Sequence, residues 1–138
     1  MTCPACDLPC PTQGEACPRC GLDLSNGIRR RTQIGARYEV LGLLGQGRVA
    51  TVYRALDRFQ DVVVAVKVLR PDLRRTPAAD AAFRSDLALA QTMRHRNLCG
   101  ILDSGEQAGL LYVVMECVSG VSLKQKLRGS QGLPLDEA

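Results

Sequence analysis

The sequence predicts an α+β fold in which a five-stranded antiparallel sheet carries one main helix, preceded by a small metal-binding segment. Three observations support this prediction. Strand patterns flank a glycine turn between residues 38 and 69, and a second pair of strand patterns follows between residues 101 and 116. Five of the seven cysteines lie between residues 3 and 20.

Chain length, net charge and the lengths of apolar runs limit the kind of protein that this sequence can encode. The 138 residues suit one small domain and an appendage, which we divide into segment 1–24, linker 25–36 and domain 37–138. The 18 basic and 14 acidic side chains give a net charge of +4, too mild to argue for a nucleic-acid partner. The sequence contains neither an apolar run of membrane-spanning length nor a signal peptide, so we expect a cytoplasmic protein.

The first three strands surround the glycines. Residues 38–44 lead into Gly45-Gln46-Gly47, where glycine allows a tight turn and a close approach to a ligand. The period-2 pattern of residues 49–54 predicts a half-buried strand. Residues 62–69 are apolar except for Lys67, so we expect burial on both faces and an anionic partner for the lysine.

The main helix is predicted to begin at Thr76, with Thr76 as N-cap, Pro77 at the first helical position and Asp80 in the first turn. Apolar residues at helical spacing continue as far as His95. We expect His95, the only histidine, to cap or pack; a role as a base or a metal ligand is not expected.

The last two strands form a predicted hairpin, in which the runs 101–105 and 110–116 are joined by a turn at 107–109. Cys99 precedes this hairpin and Cys117 follows it. We expect both thiols to be buried and unreactive.

The N-terminal cysteines predict a structural Zn²⁺ site. Two Cys-x-x-Cys pairs, Cys3/Cys6 and Cys17/Cys20, can supply four thiolates in tetrahedral geometry. The segment resembles a zinc ribbon, although the pairs are closer together than is common. Cys10 could replace Cys6, and the alternatives are an Fe–S cluster or a reactive or disulfide-bonded cysteine tail.

The domain resembles a known family. The glycine turn, Val52 five residues after Gly47 and the lysine of the next strand resemble the nucleotide-binding hairpin of protein kinases. Residues 95–98 are similar to the family's His-Pro-Asn-Ile turn, and strand 110–116 to the strand that leads to its hinge. Domain 37–138 therefore resembles the N-terminal lobe, hinge and first following helix of a bacterial (Hanks-type) serine/threonine kinase.

The resemblance implies ATP as the ligand and assigns roles to residues. Gly45 and Gly47 would cover the phosphates, Lys67 would bind the α- and β-phosphates, and Asp86 occupies the position of the family's lysine-pairing glutamate. The adenine contacts implied by the family are Leu44, Val52, Ala65, the gatekeeper Met115 and the main-chain groups of Glu116 and Val118.

Two residues depart from the family pattern. Ala50 replaces a third glycine, and Asp86 is one methylene shorter than glutamate, so its ion pair with Lys67 requires a closer helix or a bridging water. The His-Arg-Asp and Asp-Phe-Gly triplets do not occur in the sequence. Because those triplets supply the base and the metal ligands, we expect Mg²⁺ only where a C-terminal lobe is present, on a longer chain or a partner chain.

The predicted function is the ATP-binding N-terminal portion of a kinase that phosphorylates protein serine or threonine, not catalytically complete in this chain. The alternatives are a pseudokinase and a zinc-ribbon adaptor that binds a regulatory protein. Residues 133–138 resemble the first turn of a new helix, so we expect a longer natural protein.

Overall fold

The computed structural model describes residues 9, 31–70, 76–128 and 132–136. The predicted zinc ligands Cys3, Cys6, Cys17 and Cys20, together with Cys10, lie outside the described residues.

The described residues form one antiparallel sheet with a single long helix, which confirms the α+β prediction. The strands are β1 Gln33–Ile34, β2 Tyr38–Gln46, β3 Ala50–Asp57, β4 Val62–Leu69, β5 Ile101–Gln107 and β6 Leu110–Glu116, and the helices are α1 Pro77–Thr92 and α2 Leu123–Leu127. The strand order is β1-β2-β3-β4-β6-β5. The sheet has six strands where five were predicted, because β1 lies in the predicted linker and its two residues are too short to show a period.

Strand β2 extends further than the sequence suggests. The predicted turn includes Gly45, but Gly45 pairs with Val52 inside the sheet, and the chain turns only after residue 46. Two register shifts interrupt β2, and such bulges bend a strand and increase its twist. The Gly47 N–H donates a hydrogen bond to the Ala50 carbonyl (2.9 Å), which closes the turn.

The sheet curls until its two edges meet. The Tyr38 hydroxyl donates to Asp103 Oδ2 (2.6 Å), and the Gly35 N–H donates to Gln107 Oε1 (2.6 Å). The rings of Tyr38 and Tyr112 pack edge to face, with centroids 6.3 Å apart. These contacts join the β1/β2 edge to β5, so one face of the sheet is turned inwards.

The inner face holds the main apolar core. Its buried residues are Ile34, Tyr38, Val40, Tyr53, Ala55, Val64, Val66, Val68, Tyr112 and Val114. On the outer face Ala50, Leu69 and Leu111 form a smaller cluster against Phe83 of α1. The prediction that β4 is buried on both faces holds from Val64 to Leu69 apart from the half-buried Lys67, whereas Val62 and Val63 at its start are exposed.

Helix α1 begins as predicted and packs loosely. The Thr76 side chain accepts a hydrogen bond from the Ala79 N–H (3.1 Å), with Pro77 in the first turn. The helix ends at Thr92, and His95 Nδ1 accepts a bond from the Asn97 N–H (3.0 Å), which confirms a local capping role. No residue of α1 is buried, and neither helix in the described ranges is long and apolar enough to cross a membrane.

A buried ion pair fixes the end of β3. Asp57 is 3% exposed and receives both Nε and Nη2 of Arg37, at 2.8 and 2.7 Å. The same carboxylate accepts the backbone N–H groups of Phe59 (2.9 Å) and Gln60 (3.4 Å). These donors, Arg37 foremost, lower the pKa of Asp57 despite its burial.

We predict that Asp57 makes the free energy of unfolding depend on pH in the acidic range. Its pKa is lower in the folded than in the unfolded chain, so its stabilisation is complete above about pH 4 and is lost as the pH falls through the folded value. Urea midpoints measured from pH 7 to pH 3 should fall less steeply for Asp57→Asn than for wild type. Asp61→Asn, in the exposed turn that follows β3, is the control, and an unchanged slope in Asp57→Asn would contradict the assignment.

We predict that a methyl group at Gly105 destabilises the sheet. A Cβ there would lie 2.6 Å from Cζ of the buried Tyr112 ring and closer still to its hydroxyl. Gly105→Ala should therefore lose about 1–3 kcal/mol of unfolding free energy, measured by urea denaturation. Gly42→Ala is the matched control, because no heavy atom lies within 4 Å of its Cβ position. Equal stability of the two variants would contradict the packing described here.

Candidate functional site

The strand register places the predicted glycine, valine and lysine in one row. Gly45 pairs with Val52, Val52 pairs with Lys67, and Lys67 pairs with Val113. Directly paired residues of antiparallel strands point to the same face of a sheet. The row therefore crosses β2, β3, β4 and β6 on the outer face, opposite the main core.

A second row lies beside the first on the same face. Ala65 is two residues before Lys67, so it shares that face, and it pairs with Met115. Arg54 pairs with Ala65 from the other side and is exposed. The two rows thus bring together five of the sequence-predicted site residues: Gly45, Val52, Ala65, Lys67 and Met115.

A cavity of about 230 Å³ lies between this face and α1. Its polar groups are Lys67 of β4 and Asp86 of α1. The other lining residues are apolar: Phe83, Leu87, Ala90, Ile101, Val113 and Met115. The cavity is a mostly apolar cleft with one cation and one carboxylate at its wall, which is the composition expected of a small-molecule site.

Lys67 and Asp86 face this shared cavity without bonding to each other. Within the part of the chain described here, no ion pair joins them, and Asp86 is exposed while Lys67 is half-buried. Two causes are visible. Aspartate has a short side chain, and α1 buries none of its residues against the sheet.

The glycine turn stands at the end of the first row. Leu44 is 51% exposed and lies inside a register shift of β2, and no heavy atom lies within 4 Å of the Cβ position of Gly45. The Arg70 N–H donates to the Val49 carbonyl (3.0 Å), which ties the turn to the end of β4. Gly47 is exposed and has no side chain, so a ligand can approach the backbone there.

The hinge segment, residues 116–118, leaves β6 beside the second row. The Glu116 N–H donates to the Gly100 carbonyl (3.0 Å), and its carbonyl accepts the Cys99 thiol at 3.3 Å. Its carboxylate also accepts the Gly100 N–H (3.0 Å). A carbonyl oxygen can accept a second hydrogen bond, so these contacts leave the Glu116 oxygen able to bind a ligand. Val118 is 74% exposed.

The sequence prediction omits five apolar residues of the cavity wall: Phe83, Leu87, Ala90, Ile101 and Val113. The position of Val113 was detectable, because it lies two residues before Met115 and the period of a strand is two. Ile101 depends on the pairing of β5 with β6, which the sequence alone does not specify. Phe83, Leu87 and Ala90 depend on the placement of α1.

Comparison with known proteins gives a family match over most of the chain. A family model described as protein kinase domain matches residues 38–138. The serine/threonine-protein kinase PrkC of Bacillus subtilis is 36% identical over 106 residues, which cover 77% of this chain and 16% of PrkC. The serine/threonine-protein kinase PknB of Mycobacterium tuberculosis is 39% identical over 97 residues, covering 67% of this chain and 16% of PknB.

The fold matches a solved kinase domain. The crystal structure of the Mycobacterium tuberculosis PknI kinase domain superposes with a TM-score of 0.70 at 24% sequence identity, covering 80% of this chain and 45% of that one. At that identity the match shows the fold alone. The chain therefore has the fold of the N-terminal portion of a kinase domain, and it spans 16% of the length of PrkC and of PknB.

We predict that Asp86→Glu creates the missing ion pair. The added methylene lets the carboxylate approach Lys67, which should stabilise the fold by about 0.2–1 kcal/mol, a small gain because Asp86 is exposed. Slower amide hydrogen exchange in α1 would report the same change. The control is Lys67→Met, in whose background Asp86→Glu should have no effect. A gain that survives in that background would show that the ion pair is not its cause.

Proposed function

The chain belongs to the protein kinase family, and from that membership we propose that residues 38–138 form the ATP-binding part of a serine/threonine protein kinase. The observation that carries the proposal is the row of Gly45, Val52, Lys67 and Val113, with the glycine turn at one end. We further propose that the protein acts in the cytoplasm on protein substrates.

The phosphates of ATP would lie between the lysine and the glycine turn. The Lys67 ammonium is a compact positive charge on a largely apolar face, where an anionic ligand offsets the cost of its partial burial. Main-chain N–H groups near Gly45 and Gly47 would donate to the phosphate oxygens, because no side chain at these positions blocks the approach. Both features would bind the phosphate groups of a nucleotide whichever base it carries.

The adenine ring would bind against the apolar part of the two rows. Val52, Ala65 and Met115 offer a flat apolar surface on one side of the ring. The Glu116 carbonyl would accept the adenine amino group, and the Val118 N–H would donate to a ring nitrogen. Leu44, half exposed at the leading edge of the glycine turn, would cover the outer rim of the ring.

Phosphoryl transfer requires groups beyond those described here. An aspartate must receive the proton of the substrate hydroxyl, and metal ligands must hold Mg²⁺ against the phosphates. Among the described residues no three His, Cys, Asp or Glu side chains are grouped as a metal site, so this part of the chain does not fit Mg²⁺ by itself. We propose that a C-terminal lobe, on a longer chain or a partner chain, supplies both.

We predict weak, magnesium-independent ATP binding to the isolated chain, because one lobe provides one wall of a two-walled cleft. Calorimetry should show that Lys67→Ala weakens binding about tenfold or more, since a hydrogen bond to a charged group contributes about 1.5–3 kcal/mol. Arg58→Ala is the control, because Arg58 pairs with Glu39 at the far end of β3. Unchanged affinity in Lys67→Ala, or tight Mg²⁺-dependent binding, would contradict the proposal.

A pseudokinase that binds nucleotide or protein without catalysis is the second candidate. The separation of Lys67 and Asp86 favours it, since the corresponding ion pair must be in place for kinase activity. The intact native protein is first identified with an antibody to residues 38–138, and a phosphate-transfer assay on that protein then distinguishes the kinase from the pseudokinase. Radiolabelled phosphate transfer to a protein substrate supports the kinase, whereas nucleotide binding without transfer supports the pseudokinase.

We also propose that segment 1–24 is a zinc ribbon. The support is the spacing of its two Cys-x-x-Cys pairs, which suits a tetrahedral thiolate site. Such a segment is too short to hold a core alone, so the metal would stabilise it. Its expected role is contact with a regulatory protein.

We predict that a chelator removes one Zn²⁺ per chain, measured with a zinc-sensitive dye. Cys17→Ser should abolish metal binding, whereas Cys10→Ser should retain it. Hydrogen exchange in the sheet should stay slow after chelation, because the zinc segment and the sheet are proposed as independent units. Iron in the purified protein, or loss of protection across the sheet, would contradict the proposal.

A further inference from the structure

Two cysteines lie just beyond the open end of the β5–β6 hairpin, Cys99 before β5 and Cys117 after β6. Ile101 pairs with Met115, and the Glu116 N–H donates to the Gly100 carbonyl (3.0 Å), which extends the same pairing by one residue. One further step in that register places Cys99 opposite Cys117. Neither cysteine side chain has a role in the proposed nucleotide site.

The backbone at this position suits a cross-link. Hydrogen-bonded and non-hydrogen-bonded pairs alternate along an antiparallel ladder, and Gly100 and Glu116 are joined through the backbone. Continued by one step, this alternation would make Cys99 and Cys117 a non-hydrogen-bonded pair, a type in which Cα atoms are typically about 4.5 Å apart and side chains are closest. Disulfides span Cα separations of about 4.4–6.8 Å.

The side chains also lie near each other. Cys99 Sγ lies 3.3 Å from the Glu116 carbonyl oxygen, which belongs to the peptide group leading to Cys117. Partial desolvation, the Glu116 carboxylate and the Cys117 thiol raise the pKa of Cys99, which places both groups within its electrostatic range. Both thiols are free, and Cys99 is exposed, so the expectation that it is buried was wrong. Its burial depends on tertiary packing, which the local sequence does not reveal.

We propose that Cys99 and Cys117 form a reversible disulfide, a redox modification site that ties the hinge segment to the start of β5. The oxidant is a low-molecular-weight disulfide. One cysteine thiolate attacks it, forms a mixed disulfide and releases one small thiolate, and the second cysteine thiolate then attacks the protein-bound sulfur and expels the other. One protein disulfide forms, and the small molecule leaves as two thiols that carry both electrons and both protons.

The test uses the whole chain treated with glutathione disulfide, alkylated with iodoacetamide and digested with trypsin without reduction. Cleavage after Arg96 and Lys124 releases peptide 97–124, which contains both cysteines. The five N-terminal cysteines fall on peptides 1–19 and 20–29, so their reactions are seen separately. Peptide 97–124 should lose the mass of two hydrogen atoms, carry neither glutathione nor alkyl groups, and recover with dithiothreitol.

Two comparisons connect the disulfide to the fold. The native chain should form it at least tenfold faster than the chain unfolded in urea, because the register holds the thiols together. Cys99→Ser and Cys117→Ser should each retain one glutathione on peptide 97–124, since the second thiol that would displace it is gone. Alkylation of both cysteines in the wild type, stable glutathione on either, a link to an N-terminal peptide, or equal rates in urea would overturn the proposal.

Discussion

The pairing of β3, β4 and β6 determines which side chains can meet a ligand. A slip of one residue would move Lys67 from the outer face into the core, where Val66 and Val68 now pack. That slip would bury a positive charge among apolar side chains, which is costly. The same pairing sets Val52 and Val113 on either side of the lysine. Fold and candidate site therefore depend on one register.

Closure of the sheet gives its two faces different roles, one in stability and one in the candidate site. The Tyr38–Asp103 hydrogen bond joins the edges, and the inner face fills with aromatic and β-branched side chains. The outer face remains partly uncovered, because α1 buries none of its residues. Stability thus comes mainly from the inner face. The outer face retains a cavity between the sheet and α1, with the half-buried Lys67 at its wall.

Local patterns in the sequence predicted the elements whose cause is local. The alternation around Tyr53 was sufficient to predict strand β3, and the Thr76 cap was sufficient to predict the start of α1. The structure confirms both. Strand β1 was not predicted because two residues are too few to show a period. The extension of β2 beyond Gly45 was not predicted because the bulges break the alternation of side chains. The distance between Lys67 and Asp86 depends on how a helix packs on a sheet, a tertiary property that side-chain length alone does not determine.

Methyl-resolved NMR during an ATP titration tests most directly whether nucleotide binds this face of the sheet. The outer-face methyl groups of Val52, Val113 and Met115 should shift in proportion to the bound fraction. The methyl resonances of the inner-face residues Val66 and Val114 should not shift, since the sheet lies between them and the ligand. Shifts confined to the inner-face valines, or no outer-face shift at saturating ATP, would contradict the account.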